Sequence, residues 1–162
     1  VSDITYIHTK EGFLYLTTVM DLYDRKIIGW SLSDGMSTNE TTLASWKMAI
    51  KNRNTQTGLI FHSDRGVQYA NNKFAHVLES YKITRIMSRK GNCWDNAVAE
   101  SFFKSFKSEL IYGNKLISKE QMKLQIFDYI EIWYNQKRRH SALNYMTIKE
   151  FNNQTNNYKN VA

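Results

Sequence analysis

The spacing of apolar residues changes near residue 36, and this change limits the folds that the chain can adopt. Before it, runs rich in β-branched and aromatic residues predict three strands at 3–9, 13–20 and 26–33, joined as an antiparallel meander. After it, apolar stripes with helical spacing alternate with short strand-like runs. The stripes predict helices that begin near residues 37, 71, 95 and 118, and the runs predict strands at 59–62 and 83–87.

This order of elements predicts one α/β domain. The chain shows neither an internal repeat nor a linker, so we expect a mixed five-stranded sheet, three antiparallel strands followed by two further strands, flanked by helices. We assign the domain to residues 1–151 and expect the polar, Asn-rich stretch 152–162 to be a disordered tail. Because the chain starts at Val1 inside a strand-like run, we also expect further sequence upstream.

The net charge of +7 lies entirely in the second half of the chain. Residues 1–81 carry 8 Lys/Arg and 8 Asp/Glu, whereas residues 82–162 carry 14 and 7. A basic half of this kind is typical of a chain that binds a polyanion. The alternative is that these charges form a solvated face that keeps the protein soluble. The apolar runs are too short to cross a membrane, and the single cysteine, Cys93, cannot form an internal disulfide, which favours a reducing, intracellular location.

Three acidic residues lie at the ends of predicted elements. Asp3 begins the first strand, Asp64 follows the fourth, and Glu100 lies in the first turns of the helix near residue 95. If strands one and four are neighbours, both aspartates reach one end of the sheet, and a helix packed there adds Glu100. Three carboxylates can hold two Mg²⁺ ions that flank a phosphorus atom. The alternative is ordinary surface or capping acids, which are common at helix starts and in turns.

Basic residues accompany these acids. Lys104 and Lys107 follow Glu100 by one and two helical turns, so they share its face and could meet a DNA phosphate. A surface Glu–Lys pair is the alternative. His62 lies two residues before Asp64, on the same side of its strand, where it could touch a metal shell or DNA, or simply pack.

Four motifs in the right order resemble the catalytic core of insertion-sequence transposases of the IS-three family, which are similar to retroviral integrases. They are DITYI, HSDRGVQY, SRKGNCWDNAVAESFFKSFKSEL and YNQKRRHSALNY, and the likeness covers about residues 1–151. The 35 residues between Asp64 and Glu100 have the spacing that names this acidic triad. The resemblance implies an RNase H-like fold in which Asp3, Asp64 and Glu100 bind Mg²⁺, or Mn²⁺ in its place, with two ions per active site when DNA is bound.

The resemblance also implies the activity of a DNA transposase, a metal-dependent polynucleotidyl transferase. It predicts strand cleavage at transposon ends, then strand transfer by the freed 3′-hydroxyl, without a covalent protein–DNA intermediate. The implied partners are transposon-end and target DNA, further copies of the chain, and an upstream DNA-binding segment of the same protein; the implied location is the bacterial cytoplasm and nucleoid. The alternatives are an RNase H-like nuclease without strand transfer and a catalytically silent DNA-binding module.

Three residues near the acids are further candidates for DNA contact. Lys107 matches the basic residue that this family carries two turns after the glutamate. Arg65 follows Asp64 directly and could contact a phosphate. Trp94, in the motif before Glu100, could stack on a displaced base, with core packing as the alternative.

The last motif contains a basic run, Arg138, Arg139 and His140, after the long helix. This run could bind phosphates or cap the carbonyl groups at the end of that helix. The chain departs from the family pattern at Ile148, near which family members commonly carry a proline.

Overall fold

A computed structural model describes residues 1–88 and 96–159 of the chain. Its main sheet has five strands in the order β3-β2-β1-β4-β5. The first three strands are antiparallel, and β4 and β5 are parallel to β1. The strand bounds are β1 Ser2–Thr9, β2 Gly12–Met20, β3 Ile27–Ser33, β4 Ile60–Ser63 and β5 Thr84–Met87.

Helices surround this sheet, and a second sheet of two short strands lies near the end of the chain. The helix bounds are α1 Thr42–Asn52, α2 Val67–Ala70, α3 Asn72–Ser80, α4 Ala97–Phe106, α5 Lys119–Phe127 and α6 Ile148–Lys159. α4 continues as a π-helix over Lys107–Ile111, and α5 as a π-helix over Asp128–Lys137. The small sheet pairs β6 Arg139–His140 with β7 Met146–Thr147, around a 3₁₀ turn at Ser141–Leu143. Within the described residues, no helix is long and apolar enough to cross a membrane.

The predicted strands and the predicted fold class are confirmed, because each strand run lies within a residue or so of an observed strand. The local signals for two helix starts are also confirmed. Asn71 accepts a hydrogen bond from the N–H of Lys73 and begins α3, and Ser118 and Gln121 form a complete capping box at α5. The sequence did not predict α2 or the small sheet, since both are shorter than the window over which periodicity is informative.

Each face of the main sheet packs against its own set of helices. On one face, residues of β1 and β2 pack against α4, α5 and its π-helical extension; the buried set includes Ile7, Leu14, Leu16, Phe102, Phe106, Ile126 and Ile130. On the other face, β2 and β4 pack against α1 and α3; this set includes Val19, Leu43, Trp46, Phe61, Phe74 and Leu78. Each large apolar side chain buried in this way contributes about 1.5–3 kcal/mol. The two cores therefore fix the sheet between its helices.

Gly29 sets the distance between β3 and α1. A Cβ atom at this position would lie 2.2 Å from the carbonyl oxygen of Ser45 and 2.7 Å from the backbone nitrogen of Ala49. Both contacts are with helix backbone, which cannot move aside as a side chain can. The close approach of this helix therefore requires glycine.

Helix α6 corrects the expected position of the tail, because it crosses residue 151 and continues to Lys159. Phe151 packs against the core on the α4 face, and the Asn152 amide donates to the Asp24 carboxylate at 2.9 Å. Asp24 itself is a buried partner of Arg53, at 2.8 Å. Residues 152–159 are therefore helical, since tertiary contacts at the start of the polar stretch anchor a helix that composition alone does not predict.

The start of α6 also explains how the chain dispenses with a proline near Ile148. Ile148 is the first residue of the helix and is buried. The Thr147 hydroxyl accepts from the Glu150 N–H at 3.2 Å, and the Glu150 carboxylate accepts from the Thr147 N–H at 2.7 Å. This reciprocal capping box begins the helix at the position that a proline would otherwise favour.

Candidate active site

The first two candidate carboxylates lie at the junction of β1 and β4. These strands are parallel neighbours, and Ser2 of β1 pairs with Ser63 of β4. Both serines are buried, and each is followed by an aspartate, Asp3 and Asp64. β4 ends at this point, whereas β1 continues to Thr9. The junction therefore brings two carboxylates from distant parts of the chain to one place on the sheet.

The backbone beside Asp64 holds its carboxylate in place. The N–H of Gly66 donates to Asp64 Oδ1 at 2.9 Å, which closes a tight turn. The φ angle of Gly66 is −55°, which any residue can adopt. A Cβ atom there, however, would lie 3.0 Å from Asp64 Oδ1 and 3.3 Å from Gln68 Oε1. Glycine is therefore present to leave room for the carboxylate.

A buried hydrogen bond supports the junction from the other face of the sheet. The hydroxyl groups of Ser2 and Tyr69 lie 2.7 Å apart, and both side chains are buried. Burial raises the pKa of Tyr69 well above its usual value, so the phenol stays protonated and neutral. This contact ties α2, which follows Asp64, to the start of β1.

Asp3 is the electrostatic centre of the site. Partial burial, together with the negative charges of Asp64 and Glu100, raises its pKa to about 6. The N–H of Ile4, which donates to Asp3 Oδ1 at 2.8 Å, and the side chain of Asn96 act in the opposite direction. Asp64 and Glu100 are therefore both close enough to act on one half-buried carboxylate, as expected if strands one and four are neighbours.

Glu100 approaches from helix α4, in its first turn, with an exposed side chain. In the parts of the chain that the structure describes, no three His, Cys, Asp or Glu side chains are grouped tightly enough to hold an ion between them. The chemistry of the donors nevertheless fits a hard divalent cation, because all three are carboxylates and their mutual repulsion disfavours the charged form of Asp3.

Asn96 is a site residue whose role the sequence did not predict. It directly precedes α4, where a capping residue is expected, but within the described residues its side chain makes no capping hydrogen bond. It bonds instead to Asp3. The available signal was its distance from Glu100, four residues or about one helical turn, which places both side chains on the same side of α4.

Two of the expected basic residues lie on or just after α4. Lys104 is exposed in the last turn of the helix. Lys107 begins the π-helical extension, and its ammonium group lies 5.1 Å from the centre of the Tyr6 ring. The structure thus gives Lys107 an aromatic partner on β1, which the sequence did not predict.

The other candidates near the acids have different surroundings. Arg65 is exposed, and its Nε donates to the carbonyl oxygen of Ser88 at 2.8 Å, which ties the Asp64 loop to the end of β5. His62 is half-buried on β4, opposite Ile86 of β5. Trp94 lies outside the described residues.

The basic run after the long helix divides into three different roles. Arg138 binds the Glu109 carboxylate through two nitrogen atoms, Nε at 3.0 Å and Nη2 at 2.8 Å. The side chain of Arg139 is 65% exposed. His140 is only 5% exposed and packs edge-on against the Tyr134 ring, with centroids 4.8 Å apart. The core therefore encloses the His140 ring, which disfavours the predicted DNA contact by this residue.

The fold that holds these carboxylates is RNase H-like. The catalytic core domain of HTLV-2 integrase, solved in complex with magnesium in a trimeric form, superposes with a TM-score of 0.66 at 16% sequence identity. The match covers 93% of this chain and 92% of that one. At this level of identity the likeness establishes the fold.

The sequence establishes the family. An integrase core domain model matches residues 1–93, and a second model with the same description matches residues 81–147. The chain therefore belongs to the integrase core domain family. This membership confirms the resemblance seen in the four sequence motifs.

Two transposases show how much of such a protein the chain represents. It is 43% identical over 152 residues to transposase InsF of insertion sequence IS3fB from Escherichia coli (strain K12), covering 94% of this chain and 52% of that protein. It is 42% identical over 151 residues to the transposase of insertion sequence element IS904 from Lactococcus lactis subsp. lactis (strain IL1403), covering 93% and 59%. The chain spans between half and three-fifths of the length of these relatives.

Proposed function

We propose that this chain is the catalytic core of a DDE transposase that cleaves DNA strands at the ends of its insertion sequence and joins the freed 3′-hydroxyl groups to target DNA. The observation that carries the proposal is the parallel pairing of Ser2 with Ser63, which places Asp3 beside Asp64 on the sheet. The junction carries two of the three proposed acids, helix α4 carries Glu100, and the chain is related to transposases.

Asp3, Asp64 and Glu100 are the proposed ligands of Mg²⁺, or of Mn²⁺ in its place, with two ions when DNA is bound. The HTLV-2 integrase core, which shares this fold, was solved with magnesium. When bound, such ions would activate the attacking oxygen and stabilise the leaving oxygen of a phosphodiester. The site's carboxylates supply the oxygen ligands that Mg²⁺ prefers.

The surrounding groups of the chain keep these ligands in place. The Ile4 N–H and the Asn96 side chain hold Asp3, and the Gly66 N–H holds Asp64. These bonds leave other carboxylate oxygen positions available, because an ionised carboxylate can accept about four hydrogen bonds or metal contacts. The site is therefore partly preorganised before a ligand arrives.

The proposed substrate is DNA, contacted through basic side chains around and beyond the acids. Lys104 and Lys107 lie on the α4 side of the site, Arg65 follows Asp64, and Arg139 is exposed on the small sheet. Each phosphate contact of this kind releases counterions, which makes the affinity depend on salt concentration. Phosphate contacts of this kind position a protein on DNA, whereas base-edge contacts carry sequence specificity. We therefore assign recognition of the transposon ends to a segment outside this chain.

The active form is proposed to contain several copies of the protein, assembled on transposon and target DNA. Two DNA ends must be joined to one target in a coordinated way, and one active site acts on one strand at a time. The relatives extend well beyond this core, which leaves room for segments that hold such an assembly together. The proposed place of action is the bacterial nucleoid, where the DNA substrates lie.

The test is a strand-transfer assay on the full-length protein, with a labelled transposon-end duplex, target plasmid and Mg²⁺. Asp64→Asn and Glu100→Gln are expected to abolish both cleavage and joining while DNA binding without metal is retained. Glu120→Gln is a matched control, because Glu120 is also an exposed glutamate in the first turn of a helix, α5, and should leave activity unchanged.

The same assay separates the proposal from its alternatives. Retained joining in either acid variant would contradict the assigned site. Cleavage without joined products would favour an RNase H-like nuclease. DNA binding with no cleavage under any metal would favour a silent DNA-binding module.

A further inference from the structure

The ammonium group of Lys107 contacts one ring of an aromatic pair on the main sheet. Tyr6 of β1 is 60% exposed, and Lys107 Nζ lies 5.1 Å from its ring centre. Phe13 of β2 meets the Tyr6 ring edge-on, with centroids 5.4 Å apart and planes at 82°. A cation at this distance from a ring is attracted by the negative face of its π system. Lys107 therefore has a specific position over the Tyr6 ring, and Phe13 packs edge-on against that ring.

The positions of four residues show how α4 lies against β1. Tyr6 follows Asp3 by three residues, about 10 Å along a strand. Lys107 follows Glu100 by seven residues, about 10 Å along a helix. Because Glu100 acts on Asp3 and Lys107 meets Tyr6, the helix and the strand run side by side in the same direction. The Tyr6–Lys107 contact thus lies further along β1 than Asp3, by three residues.

The local backbone supports a defined position for Lys107. The helix changes from α to π geometry at this residue, and the N–H of Tyr112 donates to the Lys107 carbonyl at 2.7 Å, five residues back. Short π segments in longer helices frequently occur at functional sites. The lysine stem is half-buried, so its path toward the Tyr6 ring is partly fixed by packing.

We propose that Tyr6 is a positioning residue for Lys107 in DNA binding. The Tyr6 ring holds the lysine stem along the edge of β1, so that the ammonium group meets a DNA phosphate further along this strand than Asp3. An ammonium has three donors, so Lys107 can contact the ring and a phosphate together. This inference rests on the proposed function. It adds an aromatic residue, Tyr6, to the basic residues that are proposed to contact DNA.

The contact with Tyr6 reduces the conformational entropy that the Lys107 side chain loses when DNA binds. A free lysine has many rotamers, and fixing such a side chain at an interface weakens binding by roughly two- to tenfold. If the Tyr6 ring already restricts Lys107, removing the ring should weaken DNA binding by about this factor. The loss should disappear when Lys107 is absent, since Tyr6 then has nothing to position.

The experiment measures the affinity of the full-length protein for a transposon-end duplex over a range of salt concentrations. Tyr6→Leu is expected to weaken binding about two- to tenfold, and Tyr6→Phe, which keeps the ring, is expected to restore it. Lys107→Gln is expected to lower the slope of log affinity against log salt by about 0.9. The double variant Tyr6→Leu/Lys107→Gln should bind no more weakly than Lys107→Gln alone.

Tyr23→Leu is the matched control. Tyr23 is 54% exposed and meets Phe151 edge-on at 5.5 Å, and in the described part of the chain no cation lies over its ring. It therefore loses the same surface and the same type of aromatic contact. Binding by this variant is expected to equal that of the wild type, and melting temperatures would show whether any variant is unfolded.

Two results would overturn the inference. One is wild-type affinity in Tyr6→Leu while the wild type transfers strands, and the other is an equal loss from Tyr6→Leu with and without Lys107. Either would leave the proposed function intact. A wild type that neither binds the duplex nor transfers strands would overturn both the inference and the proposed function.

Discussion

Ser2 on β1 pairs with Ser63 on β4, and each buried serine is followed by an aspartate. This one parallel pair brings Asp3 and Asp64, which are 61 positions apart in the chain, to the same place on the sheet. The site therefore depends on strand register, because a shift of one residue would turn one carboxylate to the opposite face. Helix α4 then adds Glu100 from above the β1 strand.

Substituting alanine for Gly66 should reduce activity without unfolding the protein. The added Cβ would press on Asp64 Oδ1, at 3.0 Å, and displace the carboxylate, whereas the backbone angle of Gly66 suits alanine. Misplacement of a reacting group by about 1 Å can lower a rate about 100-fold, so a loss of tenfold or more in strand transfer is expected.

The control for this substitution is Gly35→Ala. A Cβ atom there would lie 3.7 Å from the Glu40 carboxylate, an ordinary contact distance. Its strand-transfer rate and melting temperature should match those of the wild type. A Gly66→Ala protein with the wild-type rate would show that the room beside Asp64 has no catalytic importance.

The strand pattern was enough to predict the strands and the fold class, and the three acids marked the elements that carry the candidate site. These signals are local. Runs of β-branched and aromatic residues mark each strand, and capping residues such as Ser118 mark helix starts. The pairing of β1 with β4 was left conditional in the sequence, because parallel neighbours are joined through long crossovers that periodicity does not specify.

Side-chain roles that depend on tertiary contacts could not be predicted. His140 belongs to a basic run, yet its ring packs against Tyr134 because the small sheet turns it inward. Asn96 directly precedes α4, yet in the described part of the chain its side chain interacts with Asp3 and makes no capping hydrogen bond. Tyr6 gave no signal beyond its place in a strand, since its partner, Lys107, lies 101 positions away.

The two arginines after the long helix should separate stability from DNA binding. Arg138 is paired with Glu109, which also accepts hydrogen bonds from Tyr129 and Trp133. Arg138→Gln should therefore lower the free energy of unfolding by about 1–2 kcal/mol and leave DNA affinity nearly unchanged. Chemical denaturation and DNA titration measure the two effects.

Arg139 should show the opposite behaviour, because its side chain is 65% exposed. Arg139→Gln is expected to change the free energy of unfolding by less than about 0.5 kcal/mol. It should weaken DNA binding and lower the salt slope by about 1. Equal effects of the two substitutions on DNA affinity would contradict this division of roles.

Asp24 should make stability depend on pH in the acid range. Burial raises its pKa, but hydrogen bonds from Arg53, Asn152 and the Lys26 N–H outweigh burial and hold the pKa below its ordinary value of 3.8. A lowered pKa in the folded state adds stability above about pH 4, and this stability is lost as the pH falls through the folded-state value.

The corresponding substitution is Asp24→Asn. It should destabilise the protein by about 1–3 kcal/mol at pH 7, because the half-buried Arg53 loses one of its two carboxylate partners. The difference from the wild type should shrink as the pH falls below 4. A difference that stays constant from pH 7 to pH 3 would show that the Asp24 charge does not stabilise the fold.

The most direct test of the central claim is a crystal structure of the protein grown with Mn²⁺, with the ion located by its anomalous scattering. We expect an ion bound by carboxylate oxygens of both Asp3 and Asp64, at about 2.1 Å, and no ion there in Asp64→Asn. Saturating Mn²⁺ with no ion between Asp3 and Asp64, or an ion bound only by other acids, would contradict the assignment of this junction as the catalytic metal site.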